Sequence, residues 1–283
     1  MRLGRRSLIG TLVFGVWFSL VAASSPAADQ PSPSDLNAAE NRNSPDKLYL
    51  GRCSEFRGTG LLVVLIGGFD SDPTPDQIAG QSEPGEGNSG LYDLGRELIQ
   101  HERISCQYFN WNGTGPGQIE QRPAPAETSI VAAMRWHLTM RPNDRLAIVG
   151  NSWGGHTAVR VLEELMKSPE PLATQTLILL DAGSVGRNTP PPQLLPTNVC
   201  RIRQYATRNL FVWGELPRDR RLIRIDMGNP ANGFPPVDKV DYARLFDLHS
   251  HIAVEWDPRV HQAVTDLLLQ DLPAVSRPMN HAD

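Results

Sequence analysis

The most specific chemistry in the chain lies at its middle. Gly150-Asn151-Ser152-Trp153-Gly154, followed by Gly155, fits the pattern G-x-S-x-G, in which a serine sits in a sharp turn between a strand and a helix. An apolar strand, Leu146 to Val149, leads in, and a helical pattern leads out from about Gly154. Glycines flank the serine because a β-carbon there would collide with the neighbouring strand or helix. The turn presents the Ser152 hydroxyl at the strand's carboxyl end, where the new helix's N-terminus adds positive potential. A serine hydroxyl is a poor nucleophile near neutral pH and needs an imidazole to take its proton. That imidazole needs a carboxylate to fix its tautomer and stabilise its charged form.

Three continuous apolar runs, Leu61 to Ile66, Leu146 to Val149 and Leu177 to Leu180, are short and bounded by Gly, Asn or Asp. Such runs are buried on both faces, the signature of central parallel strands. Gln107 to Trp111, Phe211-Val212-Trp213 and Leu222 to Ile225 are weaker strand candidates. Helical periodicity lies between them. It appears in Leu91, Leu94, Leu98 and Ile99 after a cap at Ser89 or Asn88, and in Ile130, Val131, Ala133 and Met134. It returns in Ala158, Val161, Leu162 and Leu165, and in Val260, Ala263, Val264, Leu267 and Leu268 after Asp257-Pro258. Asp257 suits an N-cap and Pro258 a first helical position. Alternating strands and helices imply an α/β chain with a mostly parallel central sheet, helices on both faces and no large cap domain.

The elbow and this order resemble the α/β-hydrolase superfamily, most closely its thioesterase and lipase-like branches, over roughly Leu61 to Leu269. The resemblance implies a Ser, then Asp or Glu, then His triad in chain order. Ser152 is the nucleophile. Asp181 ends the strand after the elbow, and adjacent parallel strands end side by side, which puts it on the same edge as Ser152. The thioesterase-like members carry their acid there. Asp226, one strand later, is the rival. His101, His137 and His156 precede the acid, and His137 reads as a core histidine on an apolar helical face. His261 reads as a surface residue of the last helix. His251, followed by a short extended segment and the capped helix, is favoured over His249, both being placed in the loop before that helix. The H-x-H pair also invites a metal reading, but no third ligand stands at a telling spacing.

The resemblance also implies two main-chain donors for the oxyanion: the N–H of Trp153, after the nucleophile, and one from the loop that begins Gly67-Gly68-Phe69-Asp70. Phe69 is the candidate there, with Gly68 next. Together these residues describe a serine hydrolase of a small-molecule acyl ester or thioester, working through an acyl-enzyme and needing no metal or organic cofactor. A catalytically inactive binding protein on the same fold and a serine peptidase are the alternatives. Trp153 is placed to line the pocket, and Asp70 to Gly90 is long enough to act as a lid or binding loop, or to be disordered.

Composition narrows the field further. The chain has 283 residues, 40% hydrophobic, with 27 basic and 31 acidic side chains. That excludes a mainly disordered chain and a multi-span membrane protein, and a net charge of -4 argues against nucleic acid as a partner. Arg2, Arg5 and Arg6, an apolar stretch from Leu8 and small residues from Ala22 read as an export signal over 1–28, toward a periplasmic or secreted location. The stretch is short for a span, which needs about 20 residues, so no stable membrane span is expected once the signal is removed. Residues 29–46 read as a disordered Pro/Ser-rich linker, 47–272 as the folded domain and 273–283 as a tail. Cys53, Cys106 and Cys200 are consistent with one disulfide or with three thiols. Asn112-Gly113-Thr114 is a glycosylation sequon if the host is eukaryotic. Oligomeric state is not legible.

Overall fold

The computed structural model describes residues 59–68, 71–83, 85–110, 126–167, 172–183, 192–210, 212 and 216–272, all within the unit Ser44–Asp283. The export signal, linker and tail lie outside the described residues, as do Cys53, Asn112, Phe69, Phe211 and Trp213.

The elements in chain order are β1 (Leu61–Ile66), α1 (Pro75–Ala79), α2 (Gly90–Leu98), β2 (Ile104–Phe109), α3 (Ala126–Met140), β3 (Arg145–Asn151), α4 (Trp153–Lys167), β4 (Thr174–Leu180), β5 (Val199–Ala206), β6 (Leu222–Asp226), α5 (Leu248–Ala253) and α6 (Pro258–Leu269). The strands form one sheet in the order β2-β1-β3-β4-β5-β6, and each neighbouring pair is parallel. This is the expected α/β architecture with a parallel sheet. Among the described residues no separate domain is inserted between strands.

The apolar runs explain the layering. All six residues of β1 are buried. Leu61, Val63 and Leu65 face a core shared with Leu91, Leu94 and Leu98 of α2 and Val260, Val264 and Leu268 of α6. Leu62, Val64 and Ile66 face a second core with Ile130 and Met134 of α3 and Val161, Leu162 and Leu165 of α4. Period-2 alternation thus gives the strand two apolar faces and the sheet two helical layers. Each such side chain contributes about 1.5–3 kcal/mol on burial. From β1 the chain moves outward to β2, then returns across β1 to β3. The carboxyl ends of β1 and β3 therefore flank a topological switch point, the crevice where ligands bind in open parallel sheets.

Several expectations are corrected. A strand stands at Val199–Ala206, where none was expected, and Val212 of the expected 211–213 strand stands in a bend. Arg201 and Arg203 interrupt any apolar run in β5, and its burial alternates at its start. Arg201 nonetheless has buried partners, donating to Thr176 Oγ1 at 2.7 Å and to the Asp271 carboxylate. β2 begins at Ile104 and ends at Phe109, ahead of the position expected. The segment read as a free lid or disordered loop is tied down over its described part. Thr74 and Gln77 form a capping box that starts α1. The Gln77 side chain, fully buried, accepts from Thr74, Asn88 and Ser89 N–H groups and donates to the Ser89 carbonyl and Asp93. Cys106 and Cys200 are both free, which agrees with the three-thiol reading for these two, and Cys53 lies outside the described residues.

Replacing Gln77 removes the common partner of five polar groups, three of them buried. Gln77→Ala is expected to lower stability in urea unfolding by about 2–3 kcal/mol, whereas Ile78→Ala, at an exposed position of the same helix, stays within about 0.5 kcal/mol of wild type.

Candidate active site

Ser152 stands between β3 and α4 with φ of 51°, a left-handed conformation that costs a residue with a β-carbon about 1–2 kcal/mol. Main-chain bonds hold it there. Its N–H donates to Leu180 O at 2.9 Å, and its carbonyl accepts from Gly155 N at 3.0 Å and from Gly183 N at 3.2 Å. The glycines are required by close approach. A β-carbon on Gly150 would lie 2.5 Å from Gly154 O, one on Gly154 would strike the carbonyls of Ile66 and Gly67, and one on Gly155 would strike Ala182 Cβ. The first turn of α4 is therefore packed directly on the end of β1.

Asp181 follows β4 and is also left-handed, with φ of 44°. Its N–H donates to Tyr205 O at 2.7 Å. The carboxylate is fully buried. Oδ1 accepts from Thr207 N at 2.8 Å, and Oδ2 accepts from Thr207 Oγ1 at 3.0 Å. His251 Nδ1 lies 2.7 Å from Oδ2. A carboxylate only accepts, so Nδ1 carries the hydrogen and Nε2 presents its lone pair. Nε2 lies 3.0 Å from Ser152 Oγ. The three side chains are buried and form one continuous line of hydrogen bonds.

His251 lies in the short helix α5, not in a loop before an extended segment. Asp247 nucleates that helix: its Oδ1 accepts from His249 N at 3.1 Å and Ser250 N at 3.3 Å. His251 N donates to Asp247 O at 3.2 Å, which fixes the ring's approach. His249, two positions earlier, is exposed. The metal reading loses its basis here, because both ring nitrogens of His251 face Asp181 and Ser152. Among the described residues no group of three His, Cys, Asp or Glu is placed to hold a metal. Asp226, the rival acid, pairs with Arg208 at 2.9 Å near the surface.

Trp153 is the first residue of α4, and its N–H lies next to Ser152. The residue is only 6% exposed, so it offers little area to a substrate. Phe69 lies outside the described residues. Gly68 is described, and a β-carbon on it would stand 3.0 Å from Ser152 Cβ, so the chain after β1 runs alongside the nucleophile. That chain is anchored at Ser71, whose carbonyl accepts from Tyr108 OH. The Tyr108 hydroxyl also bonds Ser89 Oγ at 2.9 Å, and burial pushes its pKa far up.

Three side chains near the site were misread or missed. His261 is 7% exposed, not a surface residue. α6 packs it against a neighbour, so Nδ1 bonds Glu97 at 3.2 Å and Nε2 bonds Glu255 O at 2.7 Å. Glu255 was missed, although an acid inside the otherwise apolar Ile252 to Trp256 is a legible signal. Burial pushes its carboxyl from 4.5 up to about 7. The folded chain therefore keeps this proton where the unfolded chain has lost it, and the group's stabilising contribution falls as pH rises from about 4.5 to about 7. Thr207 was missed together with β5.

No family model matches the chain, and no curated protein matches it. Solved structures do. The chain is similar to an α/β serine hydrolase without lid from Xanthomonas campestris, at 14% identity over 78% of this chain and 88% of that one, with a TM-score of 0.41. It is similar to ClbQ of the colibactin NRPS/PKS pathway, at 10% identity over 75% and 98%, TM-score 0.41. The NocB thioesterase domain of the nocardicin cluster aligns at 15% identity over 75% and 94%, TM-score 0.37.

The strained elbow is open to a stability test. Ser152→Ala and Ser152→Gly both lose the hydroxyl, so their difference isolates the backbone. The glycine variant is expected to be the more stable by about 1 kcal/mol in urea unfolding, reversing the usual order of the two residues.

Proposed function

We propose that this α/β-hydrolase-fold chain is a serine hydrolase of carboxylic esters or thioesters. The observation that carries the reading is the line from Ser152 Oγ through the His251 ring to Asp181, with steps of 3.0 and 2.7 Å. His251 Nε2 takes the hydroxyl proton as Ser152 Oγ attacks the acyl carbonyl. Asp181, held by Thr207, stabilises the imidazolium that results. The tetrahedral oxyanion is received by the N–H of Trp153 and by a main-chain N–H of the segment after β1, with Phe69 the candidate and Gly68 beside it. The imidazolium then gives its proton to the leaving alcohol or thiol, and an acyl-enzyme on Ser152 remains. Water, deprotonated by the same imidazole, releases the carboxylic acid and restores the serine. These steps use no metal or organic cofactor. The arginines and apolar stretch at 1–28 support an exported protein acting in the periplasm or outside the cell.

Hydrolysis of a graded series of p-nitrophenyl and thioester substrates tests the reading. The wild-type chain is expected to turn over short activated esters with a burst of one product per protein. Asp181→Asn, which keeps the shape and removes the charge, is expected to lower kcat by about 10⁴-fold. Unchanged turnover in that variant, or in Ser152→Ala, contradicts the proposal.

A further inference from the structure

Beside His251 lies a second acid that the triad does not use. Glu255 is 5% exposed. Among the described residues no lysine or arginine pairs with it, and its carboxylate meets only two donors, both long. Ser71 Oγ donates to Oε1 at 3.4 Å and Leu91 N to Oε2 at 3.4 Å. The two donors come from different parts of the fold: Ser71 from the chain that leaves β1 past Gly68, and Leu91 from the first turn of α2. Packing there is tight, since a β-carbon on Gly90 would strike the Glu255 carbonyl. Glu255 itself closes the turn that follows α5, four residues after His251. One side chain thus joins the chain after β1, the start of α2 and the histidine segment.

We propose that Glu255 is a positioning residue for the hydrolysis, tying the chain after β1 to the His251 segment through Ser71 and lending a second negative charge to the imidazolium of His251. This rests on the triad reading given above. An imidazole that becomes charged during reaction is favoured by each carboxylate that is near and ionised. Asp181 supplies one in direct contact. Glu255 supplies another only when it has lost its proton, which burial opposes near neutral pH. The groups that face it are few. His251 comes from α5 and His261 from α6, and both favour the carboxylate. The Leu91 N–H comes from α2, and Ser71 from the chain after β1. Tyr108 of β2 stands behind Ser71, donating to its carbonyl. Below the Glu255 titration the side chain still bridges Ser71 and α2 as a neutral acid. Above it, the same bridge carries charge toward the reacting imidazole.

The test compares the full wild-type chain with Glu255→Gln, which keeps the shape and an acceptor but cannot ionise. In the wild type, kcat against pH is expected to rise through two ionisations. In the variant it rises through one, with a plateau above pH 8 about three- to tenfold lower, while the two proteins agree near pH 5.5 and share one KM. Imidazole NMR of the wild type gives a second readout that requires no variant to fold: the His251 ring signals are expected to move in two steps, one of them tracking Glu255. A wild type that hydrolyses ester while His251 moves in one step, or a variant with the wild-type profile at every pH, overturns the inference and leaves the triad standing. A wild type that hydrolyses no ester removes the triad reading and this inference with it.

Discussion

The helix α4 meets the end of β1 only because Gly154 has no side chain, and the geometry of the site follows from that contact. A β-carbon at 154 would occupy the space of the Ile66 and Gly67 carbonyls. Without it, the first turn of α4 settles on the switch point of the sheet. Ser152 is driven into a left-handed turn, and its hydroxyl comes to rest beside the chain that leaves β1. The same carbonyl of Ser152 that bonds Gly155 also bonds Gly183, just past Asp181. One strained residue therefore fixes two loops at once. Strain of this kind persists only where the surroundings over-determine it, and here main-chain bonds from both β4 and α4 do so.

Burying a carboxylate at Asp181 carries a large desolvation cost unless hydrogen bonds replace the lost water. Thr207 supplies two of them, from N–H and hydroxyl, and His251 a third. Thr207 follows β5, the strand next to β4, so the parallel register that aligns Leu180 with Tyr205 also places Thr207 against Asp181. The histidine comes from much farther along the chain and depends on a helix of six residues capped by Asp247. The orientation of the imidazole is thus set from both ends, by the cap below it and by Asp181 against Nδ1. Glu255 is the contrast: also buried, but with few and long hydrogen bonds, so that burial pushes its carboxyl up to about 7.

The central strands β1, β3 and β4 were legible because burial on both faces leaves an uninterrupted apolar run. The elbow was legible because the close approaches at 150, 154 and 155 admit only glycine, and sequence order then pointed to Asp181 and His251. What was not legible has a common cause. β5 lies toward the open edge, where the Arg201 head reaches Asp271 and Thr176, and so its pattern looks like a loop. Thr207 was hidden with it. His261 looked solvent-facing because a polar residue on a helix normally is, yet α6 turns that position toward Glu97 of α2. His251 looked like a loop residue because the Asp247 cap was not read as a helix start. In each case a tertiary partner, absent from any local window, decided the outcome.

The central claim is that Ser152 is made nucleophilic by His251. Reaction of the intact wild-type chain with a fluorophosphonate, followed by peptide mapping, tests it most directly. A single adduct on Ser152, formed in the wild type and lost in His251→Ala, is the predicted result. No adduct on Ser152, or an adduct formed at the same rate without the imidazole, contradicts it.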